Sequence, residues 1–330
     1  MADLRVLEYV RDPDGVWNLP GSFVARLADE FPRVHFDSPA TRELADASIA
    51  SAEIVLGFAA RPANFAAATR LRWIHATSAG VTGLLFPALA ASPVLLTNAR
   101  GVHAPAMAEH ALGVMLAFTR RLHRARDAQR ERRWIQRELW QASPSFGELA
   151  GATLGLVGLG RVGHAIATAA RAFGMHVLAV RRHPEAGSFP AHEQWPADRL
   201  PELLSRSDFV VLAAPHTQAT TKLIGTAELA LMKPGARLVN LGRGALVDET
   251  ALIAALRSGA LAGAALDVFE HEPLPADSPL WDMPEVILTP HISGVTPDYW
   301  ERSCALFADN LRRFLAGEPL VNVVDKQAGY

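Results

Sequence analysis

Residues 153–173 read TLGLVGLGRVGHAIATAARAF: an apolar run, Thr153–Val157, then three glycines, Gly158, Gly160 and Gly163, then an alanine-rich stretch with helical spacing. A strand that turns through glycines straight into a helix is the arrangement that cradles a dinucleotide pyrophosphate. The first glycine permits the tight turn, the second lets backbone approach the phosphates, and the third lets helix and strand pack closely. The helix N-terminus adds unpaired N–H groups and a positive dipole end, so Arg161 and Val162 are expected to present their amides to the anion. Three glycines serving only a tight turn are the plainer alternative.

The next apolar run, HVLAV at 176–180, ends in Arg181, Arg182 and His183. A cofactor with a free 2′-hydroxyl usually meets an acidic residue there. Two guanidinium groups instead suit a 2′-phosphate, because each donates a planar, bidentate, charge-assisted fork. NADP(H) is therefore the expected cofactor, with NAD(H) kept as the alternative and His183 read as a bystander. Further apolar runs at Phe209–Ala213, Arg237–Asn240, Gly263–Leu266 and Val286–Leu288, with a helical pattern at Glu249–Ser258, complete one doubly wound unit.

Toward the N-terminus the same alternation recurs, with strands expected at Leu4–Tyr9, Val34–Phe36, Ile54–Gly57, Arg72–His75 and Val94–Leu96. A long helix is expected from Pro105 past Arg121, followed by an arginine-rich arm carrying Trp134 and Trp140. A final helix, Pro297–Leu315, and the tail through Val324 are expected to return to the first lobe. The fold class is thus α/β with two domains: a Rossmann nucleotide-binding domain, residues 102–288, inserted into a flavodoxin-like substrate domain formed by 1–101 and 289–330. In 330 residues, 32 Lys and Arg nearly balance 34 Asp and Glu, so no global field marks a nucleic-acid or membrane-surface binder. The single cysteine, Cys304, argues against a disulfide framework or a cysteine-rich metal site, and no metal is expected. Charges interrupt the first residues, so they do not read as a secretory signal, and a cytoplasmic protein is expected.

Three further segments each follow an apolar strand: NLGRGALVDE with Arg243, DVFEHEPLP with Glu272, and LTPHISG with His291. Loops at strand carboxyl ends are where open α/β sheets hold ligands. With the glycine turn, these motifs resemble the D-isomer-specific 2-hydroxyacid dehydrogenase family, including its glyoxylate/hydroxypyruvate reductases, across nearly the whole chain. The resemblance implies a catalytic set. Arg243 would hold the carboxylate and carbonyl oxygen of a 2-oxo acid. His291 would exchange a proton with that oxygen, and Glu272 would pair with His291, orient it and favour its protonated form. Choosing Glu272 over the neighbouring Glu270 rests on the resemblance alone.

The resemblance also implies cofactor contacts at Pro215, Thr217, Leu241, Gly242, Asp267, Ser293 and Gly294, with Asp267 near the nicotinamide carboxamide. In HATSAGVTGL it points to the backbone amides of Ala79 and Gly80 as a nest for the substrate carboxylate, although Thr82 stands where the family often has aspartate. Asn98, His103 and Glu109 are candidates to line the cleft. The expected activity is reversible NADPH-dependent reduction of a small 2-oxo acid, such as glyoxylate or hydroxypyruvate, to the D-2-hydroxy acid by a homodimer. The alternatives are a phosphite- or formate-type dehydrogenase of the same superfamily and a nucleotide-sensing, corepressor-like binding module.

Overall fold

The computed structural model describes residues 4–12, 15, 17–81, 83–142, 146–182 and 190–329. The chain divides into two compact units, one formed by residues through Val102 together with Thr296 onward, the other by His103–Val295. In the first unit, strands β1 (Leu4–Tyr9), β2 (Val34–Asp37), β3 (Ile54–Gly57), β4 (Trp73–Ala76) and β5 (Leu95–Asn98) form a sheet in the order β2-β1-β3-β4-β5. Every pairing in it is parallel. β3 and β4 are buried along their whole length, as expected of a parallel sheet covered on both faces, where apolar runs replace alternation.

The last helix, Tyr299–Ala316, belongs to this unit. Its buried positions Tyr299, Ser303, Cys304, Phe307, Ala308 and Leu311 recur at helical spacing, and Gly317, in the left-handed region at φ 72°, ends it. Phe307 stacks on Trp73 of β4 with ring centroids 5.3 Å apart. The tail follows, with Val323 bridging Thr97 of β5 antiparallel. Burial pushes the Cys304 thiol up to about 12, so it serves as a core group and not a nucleophile.

The second unit holds β6 (Thr153–Val157), β7 (His176–Val180), β8 (Glu193–Trp195), β9 (Phe209–Leu212), β10 (Arg237–Asn240), β11 (Gly263–Leu266) and β12 (Val286–Leu288). They form a seven-stranded sheet in the order β12-β11-β10-β9-β6-β7-β8, parallel throughout. The order reverses at β6, and the glycine turn leaves from that strand. Helix Arg161–Ala172 buries Gly163, Ile166, Ala167 and Ala170, the i, i+3, i+4, i+7 stripe of a core-facing helix. It packs against helix Ala104–Thr119, which buries Ala104, Ala108, Ala111, Leu112, Met115 and Phe118 among others.

The helix expected to run past Arg121 stops at Thr119. Arg121 is left-handed at φ 56° and a second helix, Leu122–Arg130, starts after it. The His123 ring donates from Nδ1 to the Ala117 carbonyl at 3.1 Å, capping the first helix from beyond the corner. Neither glycine nor proline marks this break. The second unit runs through Val295, past the 288/289 boundary expected from sequence. Residues 289–293 stay with it because the amides of Thr289, Ile292 and Ser293 donate to Leu266 and Asp267 at the end of β11. No helix among the described residues is long and apolar enough to cross a membrane.

Phe307 is fully buried and links the last helix to the first sheet, so Phe307→Ala should destabilise that unit by about 3–5 kcal/mol. Urea unfolding followed by far-ultraviolet circular dichroism measures it, and a change below about 1 kcal/mol would contradict this packing.

Candidate active site

At the carboxyl end of β6, Gly158 is left-handed at φ 98°, and a Cβ there would stand 2.8 Å from the Ala214 amide nitrogen. A Cβ on Gly163 would fall 2.2 Å from the Gly158 carbonyl oxygen. These two glycines are required by the protein itself. Gly160 is not: a Cβ there meets nothing within 4 Å, so the open space above it suits a bound group. The first backbone bond of the following helix runs from His164 to Gly160 at 2.8 Å. The amides of Arg161 and Val162 therefore have no protein acceptor among the described residues, which fits a pyrophosphate.

The strand ends beside this turn are adjacent. The Gly158 amide donates to Val180 at the end of β7 at 3.0 Å, and Arg181 follows directly, its own amide donating to Trp195 at 3.0 Å. Arg182 is exposed, while His183 lies outside the described residues. After β9, Pro215 and Thr217 stand in a loop closed by a reciprocal cap, with the Thr217 amide 2.8 Å from the Thr220 hydroxyl, which in turn donates to the Pro215 carbonyl at 2.8 Å. After β10, buried Leu241 and Gly242 lead to Arg243. A Cβ on Gly242 would stand 2.9 Å from the Ala214 carbonyl oxygen, so this loop abuts the one after β9.

Arg243 is exposed and extended, and its Nη1 donates to the Gly242 carbonyl at 2.7 Å. Asn240, buried at the end of β10, braces the turn, accepting from the Gly242 amide at 3.1 Å and donating to the Arg243 carbonyl at 3.0 Å. An asparagine closing a strand before glycine-rich sequence is a turn former, and that signal was present in N-L-G-R-G. The next glycine, Gly244, is pressed onto the loop after β11, where its Cβ would overlap the Phe269 carbonyl. The Arg243 loop and the Glu272 loop are thus in direct contact.

Glu272 and His291 meet. The His291 ring donates from Nδ1 to Glu272 Oε2 at 2.7 Å, while Glu272 Oε1 accepts the Phe269 amide at 3.0 Å. This bond leaves the far nitrogen of the ring, Nε2, for proton exchange. Glu270 does otherwise: its carboxylate accepts the Glu249 amide and lies 3.7 Å from Lys222 Nζ.

His291 is left-handed at φ 54°, a conformation a non-glycine residue keeps only when its surroundings impose it. Asp267, buried at the end of β11, supplies that constraint. Its carboxylate accepts the Thr289 hydroxyl at 2.6 Å and the amides of Ile292 and Ser293, both at 2.9 Å. With its proton committed to Asp267, the Thr289 hydroxyl can only accept from His110 Nε2, 3.3 Å away. Burial lowers the His110 pKa against the pull of the Asp267 charge. Sequence alone pointed to neither His110 nor this clamp, since the partners lie 22 to 26 and 179 residues apart.

In the first unit, side chains hold the carbonyls around the Ala79–Gly80 turn. Asn98 Nδ2 donates to Ala79 at 2.7 Å and Ser78 Oγ to Gly80 at 2.6 Å, and the Tyr299 hydroxyl donates to Thr77. Among the described residues the Ala79 and Gly80 amides donate to no protein acceptor. Thr82 lies outside the described residues, and Glu109 is exposed. A cavity of about 390 Å³ in this unit, lined by Glu8, Arg11 and His35 among others, includes none of the sequence-predicted site residues.

A family model described as D-isomer specific 2-hydroxyacid dehydrogenase, NAD binding domain, matches residues 112–293. The chain is 37% identical over 320 residues to glyoxylate/hydroxypyruvate reductase B of Citrobacter koseri, covering 94% of this chain and 96% of that protein. It is 35% identical over 317 residues to D-3-phosphoglycerate dehydrogenase of Mycobacterium leprae, covering 94% of this chain but 58% of that longer protein. Among solved structures it is similar to a D-isomer specific 2-hydroxyacid dehydrogenase from Xanthobacter autotrophicus in complex with NADPH and MES, with a TM-score of 0.83, 30% identity and 100% of both chains covered.

Asp267→Asn would turn one acceptor oxygen into a donor facing buried or half-buried N–H and O–H groups, at a cost of about 1–3 kcal/mol. Amide hydrogen exchange at Ile292 and Ser293 should accelerate accordingly. Unchanged protection of both amides would show that the carboxylate is not what holds the loop.

Proposed function

Because the chain belongs to the D-isomer specific 2-hydroxyacid dehydrogenase family, we propose that it reduces a small 2-oxo acid of the glyoxylate or hydroxypyruvate type to the D-2-hydroxy acid with NADPH. The observation that carries this proposal is the 2.7 Å bond between His291 and Glu272, on the loop edge that also bears the glycine turn. A bound nicotinamide would supply the hydride; the chain's own residues bind, orient and protonate.

The turn at Gly158, Gly160 and Gly163, with the amides of Arg161 and Val162, is assigned the pyrophosphate. Arg181 and Arg182 take the 2′-phosphate, a role supported by the absence of a carboxylate at that strand end and by the NADPH in the Xanthobacter autotrophicus structure. Pro215, Thr217, Leu241, Gly242, Asp267, Ser293 and Gly294 border the dinucleotide. The exposed Arg243 guanidinium takes the substrate carboxylate and polarises the adjacent carbonyl. The amides of Ala79 and Gly80, in the first unit, are assigned to a carboxylate on the family resemblance. His291 Nε2 gives its proton to the carbonyl oxygen, and Glu272 holds the ring and stabilises its charge until the proton leaves. In the oxidative direction the same nitrogen takes the proton back.

Large apolar side chains left exposed at Leu122, Trp134 and Trp140 support assembly as a homodimer through this arm.

NADPH oxidation against a panel of 2-oxo acids tests the activity. His291→Ala should lower turnover by about 10²-fold or more while leaving the melting temperature unchanged; near-normal turnover would remove His291 from the chemistry. Replacing Arg181 and Arg182 by alanine should raise the KM for NADPH by roughly 10-fold or more, as two charge-assisted contacts are lost, with little effect on NADH. Equal effects on both cofactors would overturn the phosphate assignment.

A further inference from the structure

We infer that His103 is a positioning residue for His291, fixing the far end of the loop that carries it; this rests on the assignment of His291 as the proton donor. His103 stands just before helix Ala104–Thr119, and its carbonyl accepts the Met107 amide at 3.0 Å, so its backbone is fixed by that helix. Its ring donates from Nδ1 to the Gly294 carbonyl at 3.0 Å. Asp267 grips the loop at Thr289, Ile292 and Ser293, and Gly294 is the next residue. Two anchors from different elements therefore hold the segment around a left-handed histidine. A single anchor would leave the loop free to relax toward an ordinary backbone conformation.

The glycine at 294 supports this role. Gly294 is not among the left-handed residues, so backbone conformation does not demand glycine. A Cβ there would stand 2.8 Å from His103 Nδ1 and 3.1 Å from its Cγ. The missing side chain is the space that the imidazole fills.

The ring is also kept neutral. Burial is the largest cause of its lowered pKa, and the charges of Arg243 and His291 act in the same direction, against the Gly294 carbonyl. Both of those charges therefore lie within electrostatic reach of His103. A neutral donor can hold the loop without repelling a protonated His291 or competing with Arg243 for an anionic substrate.

The test is NMR of protein with ¹⁵N-labelled histidine, combined with kinetics. In the wild type the His291 Nδ1 proton should be protected by its bond to Glu272. His103→Ala should expose that proton to solvent exchange and lower kcat by about 10- to 100-fold with little change in KM, the pattern of a misplaced reacting group. His103→Asn, whose side-chain N–H can take the place of Nδ1–H, should restore both. Gly294→Ala should likewise expose the His291 Nδ1 proton, yet add no further exposure of it in the His103→Ala background, where the methyl enters vacated space. An unperturbed His291 signal and kcat in His103→Ala, or a folded His103→Asn that restores neither, would overturn the role. If His103→Ala fails to fold, His103→Asn and the single Gly294→Ala variant carry the test. If the wild type reduces no 2-oxo acid, the functional assignment fails while the ring signals still decide whether His103 holds His291.

Discussion

One buried carboxylate governs the geometry of the His291 loop. Asp267 ends a core strand, and its two oxygens accept three donors spread over residues 289–293. Stranding the buried Ser293 amide would cost about 1–3 kcal/mol, and the half-buried bonds from Thr289 and Ile292 add to the constraint that keeps His291 in a backbone conformation it would not choose. Through the Thr289 hydroxyl the same carboxylate reaches His110 on helix Ala104–Thr119. The imidazole that points to solvent is thus fixed from behind by the core of the nucleotide-binding unit.

Close steric contact does for the other loops what hydrogen bonding does for this one. Gly244 lies so close to Phe269 that no side chain fits between them, and the Phe269 amide holds the outer oxygen of Glu272. Asn240 closes the intervening turn on both sides of Arg243. The loops after β10 and β11 therefore behave as one body. A parallel sheet places all such loops at one edge, because every strand runs the same way, and that is why motifs far apart in the chain converge there.

The most regular features were legible in the sequence. The strands of both sheets fall close to the apolar runs that suggested them, since buried parallel strands need little besides continuous apolar residues and turn residues at their ends. β8 was not legible, being a three-residue edge strand with Glu193 and Gln194 in it. The corner at Arg121 was not legible either, because it is held by His123 capping a carbonyl six residues back and not by a breaker residue.

The order of residues by itself determined the glycine turn, the arginine pair after β7 and the three motifs bearing Arg243, Glu272 and His291, because each depends on local spacing or residue chemistry. Tertiary structure decided which carboxylate meets His291, drawing Glu272 to it and Glu270 toward Lys222. It also decided what restrains His291, since Asp267, His110 and His103 reach its loop only after the sheet has formed. Such contacts span 22 to 191 residues, and a hydrogen bond between groups that far apart leaves no periodicity in the chain for a reader to detect.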